Sequence, residues 1–451
     1  MVRKAIAPVY LFLCLLLGGS AQGVWGNALL QILAVLIIAW AFVFPRGGSL
    51  PRPVRALAVL SVVALLFALV QLLPLPPGVW TSLPGRSIVV EGRQLLGLAP
   101  GWSAMSLAPY DTMATLLTLL PPVALFMAIY RTGATNETWL AISLLVVTFA
   151  GVLLGLLQVS SGNPMASPWY LYRFSNFGFA TGFFANSNHM ASLLLVALPF
   201  LVALGAIAAR STKDVRKRYS VLALTGGGVG IAVIGIALNG SLAGLGLLLP
   251  VLIFSLLMVI SLSPKLKLLA VGAGAVALAG FLALALSPVG ERLALAQAST
   301  SLSTRQDMLS TSFEAIREFG PVGSGLGTFA KVYPLFEDPD SIGLTYVNHA
   351  HNDYVELVIE MGIAGLVLII LFLGWWAISA RKMLAAPNAS LFARAGAIGS
   401  GAVLLHSAVD YPLRTAAIAS VFAMCLAMML LSRTSARSSK DLREARHLVI
   451  E

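Results

Sequence analysis

Charge is what this chain has least of. Only 10% of its 451 residues are Asp, Glu, Lys or Arg, where a soluble protein carries about 25%. With 58% hydrophobic residues and a mean hydropathy of +0.90, an ordinary soluble domain is excluded. Cysteine is nearly absent as well. Cys14 and Cys425 lie far apart inside apolar runs, with no metal or redox spacing, and read as small buried hydrophobes. The sequence has no Gly-rich nucleotide loop and no Cys/His zinc pattern. It also lacks the regular alternation of a membrane β-barrel. No solenoid repeat is visible.

What is present is a series of apolar runs. Many reach about 20 residues, the length that crosses about 30 Å of hydrocarbon, and without barrel patterning such spans are helices. The expected class is an all-α polytopic membrane protein with about 12 transmembrane helices. They are placed near 5–21, 28–45, 54–74, 110–130, 138–158, 188–209, 219–238, 242–262, 266–287, 353–379, 393–410 and 414–432. Met1–Gly23 has some signal-peptide features, but a second apolar run follows at Ala28, so it is read as an uncleaved first span. The layout is membrane helices over 1–74, a loop over 75–109, helices over 110–287 interrupted by a loop at 159–187, a large loop over 288–352, helices over 353–432 and a basic tail over 433–451.

The net charge of +11 is not spread as a nucleic-acid surface would be, and no nucleic acid is expected. Most Lys and Arg fall in alternate connections and in the tail. By the positive-inside bias those connections, and the N-terminus, are cytoplasmic. The long loops are then outside, and the tail lies against anionic inner-leaflet lipid. In the first loop, Pro and Gly exclude a long helix, and Trp80 and Trp102 suit an interfacial belt. In the third, Ser303 to Phe319 reads as a helix ended by Gly320-Pro321, followed by a Gly-rich turn over 323–327.

Ionisable groups gather at one place. Thr345 to Gly365 holds two of the five histidines, His349 and His351, with Asp353, Glu356 and Glu360, at the mouth of an apolar run. Such groups beside hydrocarbon are functional candidates. His351 is the candidate base, since a free imidazole titrates near pH 6.5. The plainer reading makes both histidines helix caps or loop donors. Asp353, Glu356 and Glu360 share one helix face; they either complement the helix macrodipole or orient His351 and the acceptor with His349 and Asn352. Glu360, the deepest, needs an internal partner. A metal held by His349, His351 and Asp353 is conceivable by ligand type but lacks a second cluster, so no metal is expected.

Outer-face arginines run against the positive-inside bias and need a reason. Arg173 and Arg305 are the candidates for phosphate, whose oxygens a guanidinium fork matches. Arg292 and Arg317 are read as partners of outer carboxylates. Asn186, Asn188 and His189 sit where a span begins and either cap it or bind sugar hydroxyls. His406 and Asp410 are i, i+4 and read as a hydrogen-bonded brace, with Asp410 also placed to pair with Arg414.

These residues carry a resemblance. His351-Asn352, nine residues, Gly362, two residues and Gly365 is similar to the signature of the bacterial O-antigen ligase family. The flanking His-Ala-His-Asn-Asp-Tyr-Val-Glu-Leu, the Gly323–Phe329 turn, the Gly-x-Phe-x-Asn-x-Asn-His turn over 182–189 and Asp410-Tyr-Pro-Leu also resemble that family and the related O-antigen and exopolysaccharide polymerases. The resemblance runs over about 75–415 and is strongest over 305–365. It implies a type C glycosyltransferase of the inner membrane, metal-independent and without cofactor, whose site faces the periplasm. The donor would be a glycan on undecaprenyl diphosphate. The acceptor would be lipid A–core in a ligase, or a second lipid-linked repeat in a polymerase. By motif, the family's essential histidine falls on His351; its arginines fall less firmly on Arg305 and Arg173. A flippase of the same lipid-linked glycan is the competing class, disfavoured because mid-span charges are nearly absent. An inactive assembly partner is the third.

Overall fold

The computed structural model describes residues 2–44, 50–131, 136–260, 305–339 and 346–431, with isolated helical positions at 272, 276, 279 and 280. The side chains of Val2, Arg305 and Gln306 lie outside this set. Regular structure in the described residues is helical apart from one antiparallel pairing of two-residue strands, Pro74–Leu75 with Ser103–Ala104.

Twelve spans are not found among the described residues. Eight helices are long and apolar enough to cross a membrane: Val24–Val43, Arg52–Val70, Pro109–Arg131, Glu137–Val159, Ser187–Ser211, Val215–Leu238, Leu242–Val259 and Asp353–Leu384. Val2–Leu17 and Leu391–His406, at 16 residues each, and Ala416–Leu431 are shorter than that limit. The run expected over 266–287 lies largely outside the described residues. The segment Pro109–Arg131 is divided at Leu119, because Pro121 and Pro122 offer no N–H to the preceding turn and are tolerated only where a helix begins.

Several helices start at a residue whose side-chain oxygen takes up a freed N–H. Asn136, Asn186, Asp214, Ser241, Asn352 and Ser390 all do this. Ser187–Ser211 is the central helix, with 78% of its apolar window buried. Leu193, Leu194, Leu195, Val196, Leu198 and Phe200 are enclosed there. Val24–Val43, Arg52–Val70 and Val215–Leu238 bury only 17% of theirs, leaving apolar faces for lipid.

Above this bundle a smaller core forms. Met308, Ala315 and Phe319 of the loop helix Arg305–Phe319 pack with Phe329, Val332, Tyr333, Ala350 and Ile359. That cluster fastens the large loop onto the first turns of Asp353–Leu384, hereafter the site helix.

The site helix is broken. Gly362 has φ 59° and ψ −142°, a positive-φ, extended-ψ conformation that is essentially glycine's alone and costs another residue about 1–3 kcal/mol. A Cβ there would also run into the Pro321 carbonyl. The break frees polar backbone groups, which are costly in an apolar setting. The Gly-rich turn satisfies them. The Ser324 N–H donates to Ile359 O at 2.9 Å, the Gly325 N–H to Glu360 O at 2.9 Å, and the Ile363 N–H to Pro321 O at 2.9 Å. Buried Gln71, at the end of Arg52–Val70, braces the joint: its Nε2 donates to Glu360 O at 3.0 Å and its Oε1 accepts from the Leu326 N–H at 2.9 Å.

Candidate active site

Just before the site helix, His351 is the only non-glycine residue among those described with positive φ, at 49°. Histidine tolerates this region better than most residues. The turn is held because Asn352 caps the helix: its Oδ1 accepts from the N–H groups of Tyr354 and Val355, and its Nδ2 donates to Ala408 O at 2.8 Å. The reversal points His349 and His351 toward the turn that joins the last two helices.

Each imidazole has a buried carboxylate on Nδ1. His351 meets Asp410 Oδ1 at 3.0 Å and His349 meets Glu356 Oε1 at 2.9 Å. The acids are enclosed, while the imidazoles keep 28% and 27% of their side-chain surface exposed. In a neutral ring whose Nδ1–H donates to the carboxylate, Nε2 is the atom left with a lone pair. Tyr411 stands between the two, its ring centroid 4.2 Å from that of His349 and 5.0 Å from that of His351. Its hydroxyl accepts from Asn186 Nδ2 at 3.3 Å. The buried His189 ring lies edge-on to Tyr411 at 5.1 Å. Asn188 stays at the same helix start, its N–H donating to Asn186 Oδ1. Four of the five histidines in the sequence therefore gather here, the fourth being buried His406, whose Nδ1 lies 2.8 Å from Ser192 Oγ.

Burial alone would raise the Asp410 carboxyl, but the hydrogen bond from His351 and the imidazoles of His351, His189 and His406 outweigh it and hold it below the usual carboxylate range. Asp410 thus stays an anion opposite His351.

The sequence-based pairing of Asp410 with Arg414 is corrected. Arg414 instead faces the three site-helix acids, with Nη1 3.1 Å from Glu360 Oε2, Nη2 3.4 Å from Glu356 Oε1 and Nε 3.5 Å from Asp353 Oδ1. The i, i+3, i+7 spacing places all three on one face, and a single guanidinium serves them. Burial would lower Arg414, but Glu356, Glu360 and Asp353 raise it above its ordinary value. Asp353 also accepts from Ser407 Oγ at 2.8 Å. The expected His406–Asp410 brace is likewise different, because Leu391–His406 ends at His406 and Asp410 sits in the following turn. The two share a backbone bond, Asp410 N–H to His406 O at 2.9 Å, while their side chains turn to Ser192 and His351.

Of the two candidate arginines, Arg173 is exposed, with its guanidinium 5.3 Å over the Phe174 ring. Among the described residues it has no ion pair. Arg305 opens the loop helix, and its side chain lies outside the described residues.

Residues 227–370 match the model of the family described as O-antigen ligase. Over that stretch the chain is similar to the O-antigen ligase family. No curated protein matches it. Family and fold together support a glycan-transfer enzyme in a multi-pass inner-membrane protein.

The stretch that matches the O-antigen ligase family model brings His349, His351, Asn352, the three site-helix acids and both signature glycines. Gly362 makes the break. Gly365 is a place of close approach, since a Cβ there would stand 2.7 Å from Leu357 O and 2.9 Å from Met361 Cβ. The partners Asp410, Tyr411, Arg414, Asn186 and Gln71 all come from outside it. Tyr411, Arg414 and Gln71 were not singled out from sequence as site residues. For Arg414 a signal existed, three like charges on one apolar helix demanding a cation, and Tyr411 lies in the Asp410-Tyr-Pro-Leu run; for Gln71 there was none.

Proposed function

We propose that the protein transfers a glycan from undecaprenyl diphosphate to a sugar hydroxyl at the periplasmic face of the inner membrane, as an O-antigen ligase whose acceptor is lipid A–core. The observation that carries this reading is the His351–Asp410 pair, at 3.0 Å, beside a broken membrane helix in a chain similar to this family. His351 Nε2 takes the proton of the acceptor hydroxyl. The oxygen attacks the anomeric carbon opposite the diphosphate, the bond from that carbon to the phosphate oxygen breaks, and the diphosphate leaves with its electron pair. The anomeric configuration inverts, and no metal is required. Asp410 fixes the tautomer and orientation of His351. His349, with Glu356, Asn352, Asp353, Asn188 and His189, shapes or binds the acceptor side.

The leaving diphosphate needs cations held away from bulk water. Arg414 is already matched by three acids, so this task is assigned to Arg305, with Arg173 second. Replacing His351 with Ala is expected to slow transfer by about 10²–10⁴-fold while leaving the fold and donor binding intact. Purified protein with lipid-linked repeat units, with and without lipid A–core, provides the assay. An active variant removes the base role, and longer chains without capped core identify a polymerase.

A further inference from the structure

The loop between Arg52–Val70 and Pro109–Thr118 has two unlike halves. Its base is locked to the protein. Buried Arg86 donates to Pro84 O at 2.6 Å, Met105 O at 2.6 Å and Gly323 O at 3.0 Å, without any carboxylate among these partners. Burial pushes its guanidinium down to about 10. Trp80 is buried and donates to Gly101 O at 2.8 Å, and the Ser106 N–H donates to Gln71 O at 2.9 Å. Trp80 is therefore a core residue of the loop, not a member of an interfacial belt.

The other half is bare. The helix Ser87–Leu95 has no buried residue. Leu95 is 89% exposed, Leu96 74% and Trp102 68%, with Ile88, Val89 and Leu98 also exposed. Between Ser87 and Trp102 the only charges are Glu91 and Arg93, and Arg93 bends back along the loop to Ala99 O at 3.3 Å. A water-facing loop so apolar is unusual.

We propose that Ile88–Trp102 is an interfacial foot that inserts its leucines and Trp102 into the leaflet of the membrane carrying the protein. Continuity argues for lipid as the occupant. The loop leaves the membrane after Val70 and re-enters at Pro109, and its base is hydrogen-bonded at that level through Gln71 and Ser106. On either side stand exposed apolar residues at the ends of the two spans, Leu69, Val70 and, just past the helix, Leu73 before it and Tyr110, Met113 and Leu117 after it. The foot extends that lipid-facing surface sideways. An apolar body with a Trp at its edge is the composition of a segment lying in the headgroup boundary. Because Arg86 ties its base to Gly323, in the turn that fills the helix break, contact with lipid also holds the Gly-rich turn at a fixed depth.

The test uses full-length protein in nanodiscs of phosphatidylethanolamine and phosphatidylglycerol, with single nitroxides at Leu95→Cys, Leu96→Cys and Leu98→Cys. All three positions are exposed, and the native Cys14 and Cys425 are buried; labelling of the unsubstituted protein sets the background. Collision with oxygen should exceed collision with an aqueous nickel chelate at all three sites, corresponding to a depth of about 5–10 Å below the headgroups. A Lys213→Cys control should show the reverse. Labels dominated by the nickel chelate overturn the proposal, as does spin–spin broadening, which would place a second copy on this face.

Discussion

At His351 the backbone is bent into a conformation that non-glycine residues usually avoid, and the cost is retained where the side chain has a task. The second carboxylate oxygen of its partner Asp410, Oδ2, has no hydrogen-bond partner among the described residues. Asp410→Asn should lower single-turnover transfer by about 10²-fold, the smaller end of what acid–base positioning contributes, without loss of the folded state. The pH dependence has a definite sign. The folded carboxyl lies below its unfolded value near 3.9, so its contribution to stability is full above about pH 4 and is lost as pH falls through the folded value. Thermal unfolding of wild type and Asp410→Asn in detergent should therefore converge only below about pH 4.

Arg414 is a different case, because removing it leaves three enclosed carboxylates facing one another. Arg414→Ala should cost about 3–5 kcal/mol, read as a loss of folded protein at temperatures where Asp410→Asn is intact. The common face of Asp353, Glu356 and Glu360 was legible from spacing alone. Which cation serves them was not, since Arg414 lies 54 residues beyond Glu360 and only the folded turn after His406 brings it back. The same holds for Asp410 and His351, 59 residues apart.

Among the elements, the Gly-rich turn and the site helix form one unit. Sequence marks both the turn and the two signature glycines, but a continuous apolar helix from Asp353 onward hides the break, because Gly in a helical pattern reads as a weak helix residue rather than a stop. Gly362→Ala combines a positive φ with a clash against a backbone carbonyl, neither of which can relax cheaply. Hydrogen exchange should show faster opening at the amides of Ser324, Gly325 and Ile363, and transfer should fall along with it. Unchanged protection would mean that the turn does not depend on the break.

The molecule as a whole is a bundle around Ser187–Ser211. Leu194→Ala in that helix should lower stability by about 2–5 kcal/mol through the cavity it leaves, whereas Leu224→Ala, on an exposed face, should leave the unfolding temperature nearly unchanged. Helix positions were readable from hydropathy because lipid-facing and core residues are both apolar. The same fact hid which helix is central.

The fracture at Gly362 also separates two lengths of helix that a continuous rod would keep in phase. In an unbroken helix each added residue rotates everything beyond it by about 100°. Here the nine residues from Asp353 to Met361 take their rotation from the turn at 323–327, and those from Ile363 onward take theirs from the bundle. A residue inserted into the membrane portion after Gly365 would be absorbed without re-aiming Glu356 or Glu360, whereas one inserted between Asp353 and Met361 would swing both away from Arg414. The acid-bearing end and the anchoring end are thus free to diverge separately, and grafts between related chains should be spliced at this joint.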